Sequence, residues 1–193
     1  GFKTLDGVLS TKSELYEHLG EDGKIFVSYT ESKLVNQLKN MNLKAITYNA
    51  TDSNITLESY ECNPFLTCTF MVNGQSEKIE SKLFGEYNAK NISLALAIGN
   101  HFQIPFESMK KGLENYQPSN NRSEIRKTDK NNTIILDAYN ANPSSMKLAT
   151  NSFFMSNMKN KHAILGDMLE LGEVSTEEHR ELLKGLPADQ VII

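Results

Sequence analysis

The sequence predicts a mixed α/β chain: a parallel βαβ unit, an antiparallel section, and then a second, truncated α/β domain. Three observations predict it. Short apolar segments alternate with amphipathic ones near the start of the chain, and the same rhythm restarts after residue 121. Between these regions, alternating apolar and polar residues flank Asn73-Gly74, a hairpin turn signal. The chain stops inside the apolar segment Gln190-Val191-Ile192-Ile193, which leaves a small parallel sheet with an unpaired edge and an uncovered face.

The elements follow in order. Apolar residues at Val8, Leu15, Tyr16 and Leu19 are spaced for a helix stopped by Gly20. Thr11 with Glu14 reads as a capping box, or the helix opens near Thr4-Leu5-Asp6 with 10–14 inside it. Residues 24–29 and 44–48 are strands about a helix over 31–41, with Leu34, Val35 and Leu38 inward. Strands so connected run parallel. Segments 54–61, 65–72 and 76–84 form the antiparallel section. Residues 89–102 make a helix apolar on most sides, expected to be buried. A helix over 105–116 opens with Pro105. Residues 117–121 are polar and turn-prone, so the domain boundary is placed at 120/121. Strands over 124–127 and 133–137 about a short turn at 129–132, a helix over 144–158, a strand over 161–165 and a helix over 175–186 complete the reading.

The 193 residues suit one ordinary domain or two small ones. At 39% hydrophobic and 23% charged, the composition is globular. A net charge of −4 excludes a generally basic nucleic-acid surface, though not a local anion site. No apolar run approaches the roughly 18–20 residues that span a bilayer. The N-terminus lacks both an initiator Met and the pattern of a secretion signal, as expected of a processed chain or of a piece of something longer. Cys62 and Cys68, read on one strand, would lie about 20 Å apart and could not form a disulfide. Two thiols without a His cluster make no zinc site.

Chemistry concentrates in a few places. The strand 133–137 ends in Asp137, and a polar loop leads to Pro143 at a helix start. Ligands of open α/β sheets bind beyond strand C-termini, where an Asp can accept hydrogen bonds from a ribose diol. Equally, Asp137 and Asn142 could simply cap a turn and a helix. The strand 161–165 is followed by Gly166-Asp167-Met168, so two adjacent strands would aim carboxylates at one rim. Such a pair could hold Mg²⁺, accept protons or bind a substrate ammonium. His179, on the next helix, reads as a surface or interface residue. Asn88 and Asn91, three apart at a helix start, could read adenine or serve as a cap plus a neighbour. Arg122 could clamp phosphate or be a surface arginine; Lys12 alone reads as a solvated lysine. The sequence contains no G-x-x-x-x-G-K-[ST] loop, no G-x-G-x-x-G and no G-x-S-x-G elbow.

Together, Gly85-x-Tyr87-Asn88-x-x-Asn91, Asn121-Arg122-Ser123-Glu124, Asp137-Ala138-Tyr139-Asn140-Ala141-Asn142-Pro143-x-Ser145-Met146 and Leu165-Gly166-Asp167-Met168-x-Glu170-Leu171-Gly172 resemble the Mur ligases. The last two motifs resemble the branch that joins D-alanyl-D-alanine to a UDP-N-acetylmuramoyl-tripeptide. The start, Gly1-Phe2-x-x-Leu5-Asp6-Gly7-Val8 and Thr11-Lys12-x-Glu14-Leu15, resembles it too, so the likeness covers essentially the whole chain. The nearest alternatives are a folylpolyglutamate synthase-like ligase and a non-catalytic module that keeps a nucleotide cleft.

The resemblance implies three domains in the parent, with 1–120 the later part of a central ATPase domain and 121–193 the first part of a Rossmann-like C-terminal domain. The phosphate loop would lie upstream, so this fragment would be inactive. ATP and Mg²⁺ are the implied cofactors, and the reaction is amide synthesis through an acyl phosphate in peptidoglycan precursor synthesis. Lys12 would be the family's carbamoylated, metal-binding lysine, with Arg122 beside it in the catalytic set. Asn88, Asn91, Arg122, Asp137, Tyr139 and Asn142 would bind the nucleotide, with Asn91 on adenine and Asp137 on ribose. Gly166, Asp167 and Met168 would meet the dipeptide. The family often has His where Tyr87 stands. A monomer in the bacterial cytoplasm, without nucleic-acid or membrane partners, is implied as well.

Overall fold

The structure, a computed structural model, describes residues 5–20 and 22–193, apart from the side chains of Leu5 and Ala188. Thr4 and the motif residues before it lie outside the described residues. The chain packs as two compact units interleaved in sequence. One contains Gly1–Ser59, Thr69–Lys78 and Lys90–Lys110; the other contains Tyr60–Cys68, Ile79–Ala89 and Lys111–Ile193.

Helix α1 (Leu5–Glu17) opens earlier than Thr11, so Thr11 and Glu14 sit in its interior and form no capping box. Interior N–H groups already bond the preceding turn and need no cap. Strands β1 (Phe26–Ser28) and β2 (Ile46–Tyr48) flank helix α2 (Ser32–Asn40) and pair in parallel, Val27 opposite Thr47. This is the expected βαβ unit, with shorter strands. Its core is Ile25, Val27 and Leu38, against which Tyr16, Leu34, Val35, Leu43 and Ala45 pack.

Strands β3 (Ile55–Cys62), β4 (Phe65–Val72) and β5 (Gln75–Phe84) form one sheet in that order. Two-residue connections force neighbours antiparallel. Asn73 and Gly74 both take positive φ (49° and 85°), the requirement of the tight turn that their sequence signals. Burial alternates along β4, with Leu66, Cys68, Phe70 and Val72 inward. Cys62 ends β3 and Cys68 lies in β4, so the two do not share one strand, contrary to the sequence reading; both thiols are free. The turn at Asn63-Pro64 is the cause, because it folds the segment back between them.

Helix α3 (Asn88–His101) buries Asn88, Ala89, Ile92, Ser93, Leu96 and Gly99 and exposes Lys90, Asn91, Ala95 and Ile98. The expected all-round burial is therefore replaced by one buried stripe at helical spacing. A Cβ on Gly99 would stand 2.3 Å from Met109 Sδ on α4 (Phe106–Asn115), so the flexible thioether packs into the space the glycine leaves.

After residue 121, β6 (Glu124–Lys127) and β7 (Thr133–Leu136) pair antiparallel, Ile125 opposite Ile135. Helix α5 (Pro143–Met155) ends three residues before the expected 158, and Ser156 follows it as cap. The Lys161 ammonium donates to the carbonyls of Phe154 and Ser156, where the sequence suggested the start of a strand. The strand β8 is only Ala163–Ile164; it pairs in parallel with β9 (Val191–Ile192) across helix α6 (Ser175–Lys184). β7 and β8 belong to separate sheets, which corrects the expectation of adjacent strands with paired terminal carboxylates.

Two outcomes follow from this packing. Leu38 is 2% exposed at the centre of its cluster, whereas Leu15 on α1 is 67% exposed. Leu38→Ala should cost about 2–5 kcal/mol in urea unfolding, and Leu15→Ala within roughly 0.5 kcal/mol. Burial pushes the Cys68 thiol up to about 11. Since the thiolate is the nucleophile, Cys68 should resist iodoacetamide in the native chain at pH 8 and react after unfolding in urea, as read by mass spectrometry.

Candidate functional site

The described chemistry gathers in the second unit around Asp137, the first residue beyond β7. The backbone N–H of Ser123 donates to Asp137 Oδ1 at 3.1 Å, and the Tyr87 hydroxyl donates to Oδ2 at 3.1 Å. Tyr87 Oη also lies 2.6 Å from Ser123 Oγ. A phenol has one proton. With it directed to Asp137, the Ser123 hydroxyl must donate to Tyr87, so the three groups form a closed ring of hydrogen bonds. Ala138 N–H adds a bond to the Asn121 carbonyl at 2.8 Å.

Local sequence explains how the ring forms. Asn120, Asn121 and Ser123 all take left-handed φ (60°, 57° and 51°), which turns the Ser123 amide toward Asp137. Asn adopts that conformation readily; Ser123 does so less readily and is held at 5% exposure. On the other side, Gly85 has φ of +90°, and a Cβ there would meet Tyr87 Cε1 at 2.3 Å. Only glycine lets the Tyr87 ring lie back over the turn. Gly85 N–H donates to Cys62 Sγ at 3.3 Å, which ties the same turn to the end of β3. Burial, opposed by the Ser123 hydrogen bond and reinforced by the Asp137 charge, pushes the Tyr87 phenol above the usual tyrosine range, so it remains a donor.

Of the other residues singled out from sequence, Arg122 stacks its guanidinium over the Tyr139 ring at 3.6 Å. Stacking uses the face of the group and leaves its in-plane N–H donors for an anion. Asn88 is 7% exposed and donates from Nδ2 to the Phe84 carbonyl at 2.8 Å. Asn142 is the N-cap of α5: its Oδ1 accepts from Ser145 N–H at 2.9 Å and from the Ser144 hydroxyl at 2.7 Å, and Ser145 returns the bond. Its carbonyl oxygen is therefore spent on the helix. Lys12 and Asn91 are exposed and belong to the other unit.

Gly166 and Asp167 are exposed, while Met168 is 2% exposed. His179 on α6 fixes this loop: the Met168 N–H donates to Nε2 at 3.0 Å, and Nδ1 lies 2.7 Å from the Ser175 carbonyl. The pattern fits the Nδ1–H tautomer. Asp167 Oδ1 is 3.7 Å from Nε2, beyond hydrogen-bond length. His179 was read from sequence as a surface or interface residue; its spacing to Met168 gives no sign of this backbone contact. Nor does any spacing in the sequence mark Tyr87 or Ser123 as a partner of Asp137.

Among the described residues, no group of three or more His, Cys, Asp and Glu side chains comes together. These side chains alone therefore do not fit a Mg²⁺ cage. Asp137 fits a diol better, since its two bonds leave carboxylate lone pairs on an exposed residue. Asn142→Ala should lower stability by about 0.5–2 kcal/mol through the lost cap, and Asn142→Asp should retain most of it. Thermal unfolding of the two variants measures this.

Comparison with known proteins agrees with the fold. The Mur ligase middle domain family matches residues 1–99, and the family described as Mur ligase, glutamate ligase domain matches 121–193. The UDP-N-acetylmuramoyl-tripeptide–D-alanyl-D-alanine ligase of Bacillus subtilis (strain 168) is 31% identical over 188 residues, covering 96% of this chain and 40% of that protein. The protein of the same name from Buchnera aphidicola subsp. Baizongia pistaciae is 30% identical over 193 residues, covering 93% and 40%. MurF from Acinetobacter baumannii superposes with a TM-score of 0.81 at 25% identity, over 98% of this chain and 42% of that one. MurF ligase from Thermotoga maritima in complex with ADP gives 0.79 at 19% identity, over 94% and 42%, a likeness of fold. The chain thus spans about 40% of the length of the curated relatives it matches. With consecutive family matches over 1–99 and 121–193 and a shared fold, the chain belongs to the Mur ligase family.

Proposed function

We propose that this chain is part of an ATP-dependent ligase that joins D-alanyl-D-alanine to UDP-N-acetylmuramoyl-tripeptide. In this reading, residues 1–120 are the later part of its central ATPase domain and 121–193 the start of its C-terminal domain. The observation that carries it is Asp137, held at both oxygens by Ser123 and Tyr87 beside the Arg122–Tyr139 stack. The similarity to proteins named for that reaction supports the substrates.

ATP would supply the activating phosphoryl group. The tripeptide carboxylate takes it from ATP, and ADP leaves. The dipeptide amine then attacks the acyl carbonyl, an amide forms and phosphate departs. Asp137 accepts the ribose hydroxyls, and Arg122 offers in-plane donors to the phosphates. Tyr139 keeps Arg122 in place. Asn91, exposed near the start of α3, serves adenine, while Asn88 secures the preceding turn through Phe84. Asn142 shapes the loop after Asp137 by capping α5. Asp167, on a loop fixed through Met168, would attract the dipeptide ammonium, with open space around Gly166 beside it. Lys12 would supply an anionic oxygen ligand for Mg²⁺ if its amine were carbamoylated by CO₂ with loss of a proton. No described helix is long and apolar enough to cross a membrane. A cytoplasmic monomer fits the reading.

The complete ligase polypeptide should release phosphate from ATP only when UDP-N-acetylmuramoyl-tripeptide and D-alanyl-D-alanine are both present, and Asp137→Ala should raise KM for ATP. This 193-residue chain alone should release none. Phosphate release that follows a folate and glutamate instead, or nucleotide binding without release by the complete polypeptide, would overturn the reading.

A further inference from the structure

We propose that Tyr87 is a positioning residue for nucleotide recognition: its hydroxyl aims the Asp137 carboxylate so that the outward lone pairs meet the ribose diol. The proposal rests on the reading of Asp137 as the ribose acceptor. A carboxylate on a flexible side chain at a strand end rotates about two torsions. Here Ser123 N–H fixes Oδ1 at 3.1 Å and Tyr87 Oη fixes Oδ2 at 3.1 Å, so the plane of the group is set from both sides. Ser123 lies in a loop and could orient only one oxygen. The second constraint comes from a ring 50 residues earlier in the chain, itself seated against Gly85. The Ser123 hydroxyl, 2.6 Å from Tyr87 Oη, occupies the phenol's acceptor side and leaves its proton for Asp137. Two of the roughly four acceptor positions of a carboxylate are then filled, leaving two for a vicinal diol. A pre-aimed acceptor loses less freedom when a ligand arrives.

Steady-state kinetics of the complete ligase polypeptide with ATP and with 2′,3′-dideoxy-ATP test this. The unmodified enzyme should favour ATP through KM, and Asp137→Ala should abolish that preference. Tyr87→Phe, which keeps the ring and removes the hydroxyl, should reduce the preference by roughly tenfold, the scale of one hydrogen bond to a charged group. The rise should fall on KM for ATP, with KM for the dideoxy nucleotide and kcat little changed. Ser123→Gly, which suits the positive φ at that position and removes the hydroxyl, should reduce the preference by a smaller factor. Equal effects of Tyr87→Phe on both nucleotides would show a merely structural ring and overturn the proposal, as would no effect on either. A preference that survives Asp137→Ala would instead overturn the ribose reading of Asp137 itself. A preference lost in Asp137→Ala but intact in both Tyr87→Phe and Ser123→Gly would leave that reading standing and reject the role of Tyr87.

Discussion

A carboxylate at the end of a strand is ordinarily a mobile charge in water, and what it can recognise depends on what holds it. Asp137 is held by a backbone amide from a left-handed turn and by a phenol from the turn before α3. Both restraints depend on backbone geometry that few residues permit. Positive φ at Asn120, Asn121 and Ser123 delivers the amide, and positive φ at Gly85 lets the ring approach. The turn after β5, the loop before β6 and the end of β7 are therefore tied into one structure by a single acidic side chain. Removing that side chain would leave the Ser123 amide without its acceptor and turn the Tyr87 hydroxyl onto Ser123 Oγ, so the closed ring depends on Asp137.

Local features of the fold were legible in the sequence because local physics determines them. Asn73-Gly74 announces its turn through the φ values it must adopt. The β1–α2–β2 crossover follows from strand, helix and strand in succession, and the pairing is parallel as the rule requires. Asn142 before Pro143 announces the start of α5, and the capping reading of Asn142 is the one its oxygen satisfies. Pairing between distant segments was not legible. Apolar content marks residues 133–137 and 161–165 as strands, and the short turn at 129–132 lets β6 pair with β7, but nothing in either strand says that β7 and β8 fall in separate sheets. The one-strand spacing of the two cysteines fails because the break between segments 54–61 and 65–72, legible in the sequence, is a two-residue turn that puts Cys62 and Cys68 on different strands. Likewise, Tyr87 and Asp137 are separated by 50 positions, and no periodicity connects them.

The two aspartates that follow strands also show how environment separates identical residues. Asp137 is committed at both oxygens to donors of the protein, so its orientation is fixed and its charge partly offset. The Asp167 side chain is 81% exposed, and His179 Nε2, 3.7 Å from its Oδ1, already accepts from Met168 N–H. An acceptor cannot satisfy a carboxylate, so Asp167 keeps its charge toward solvent while the backbone beside it is pinned. A fixed acceptor suits neutral hydroxyls, whose recognition depends on direction. A solvated charge on a pinned loop suits an ammonium, whose attraction depends on distance more than on angle. The division of labour proposed for the two loops, sugar at Asp137 and amine at Asp167, thus follows from what already bonds each carboxylate and needs no difference in residue type.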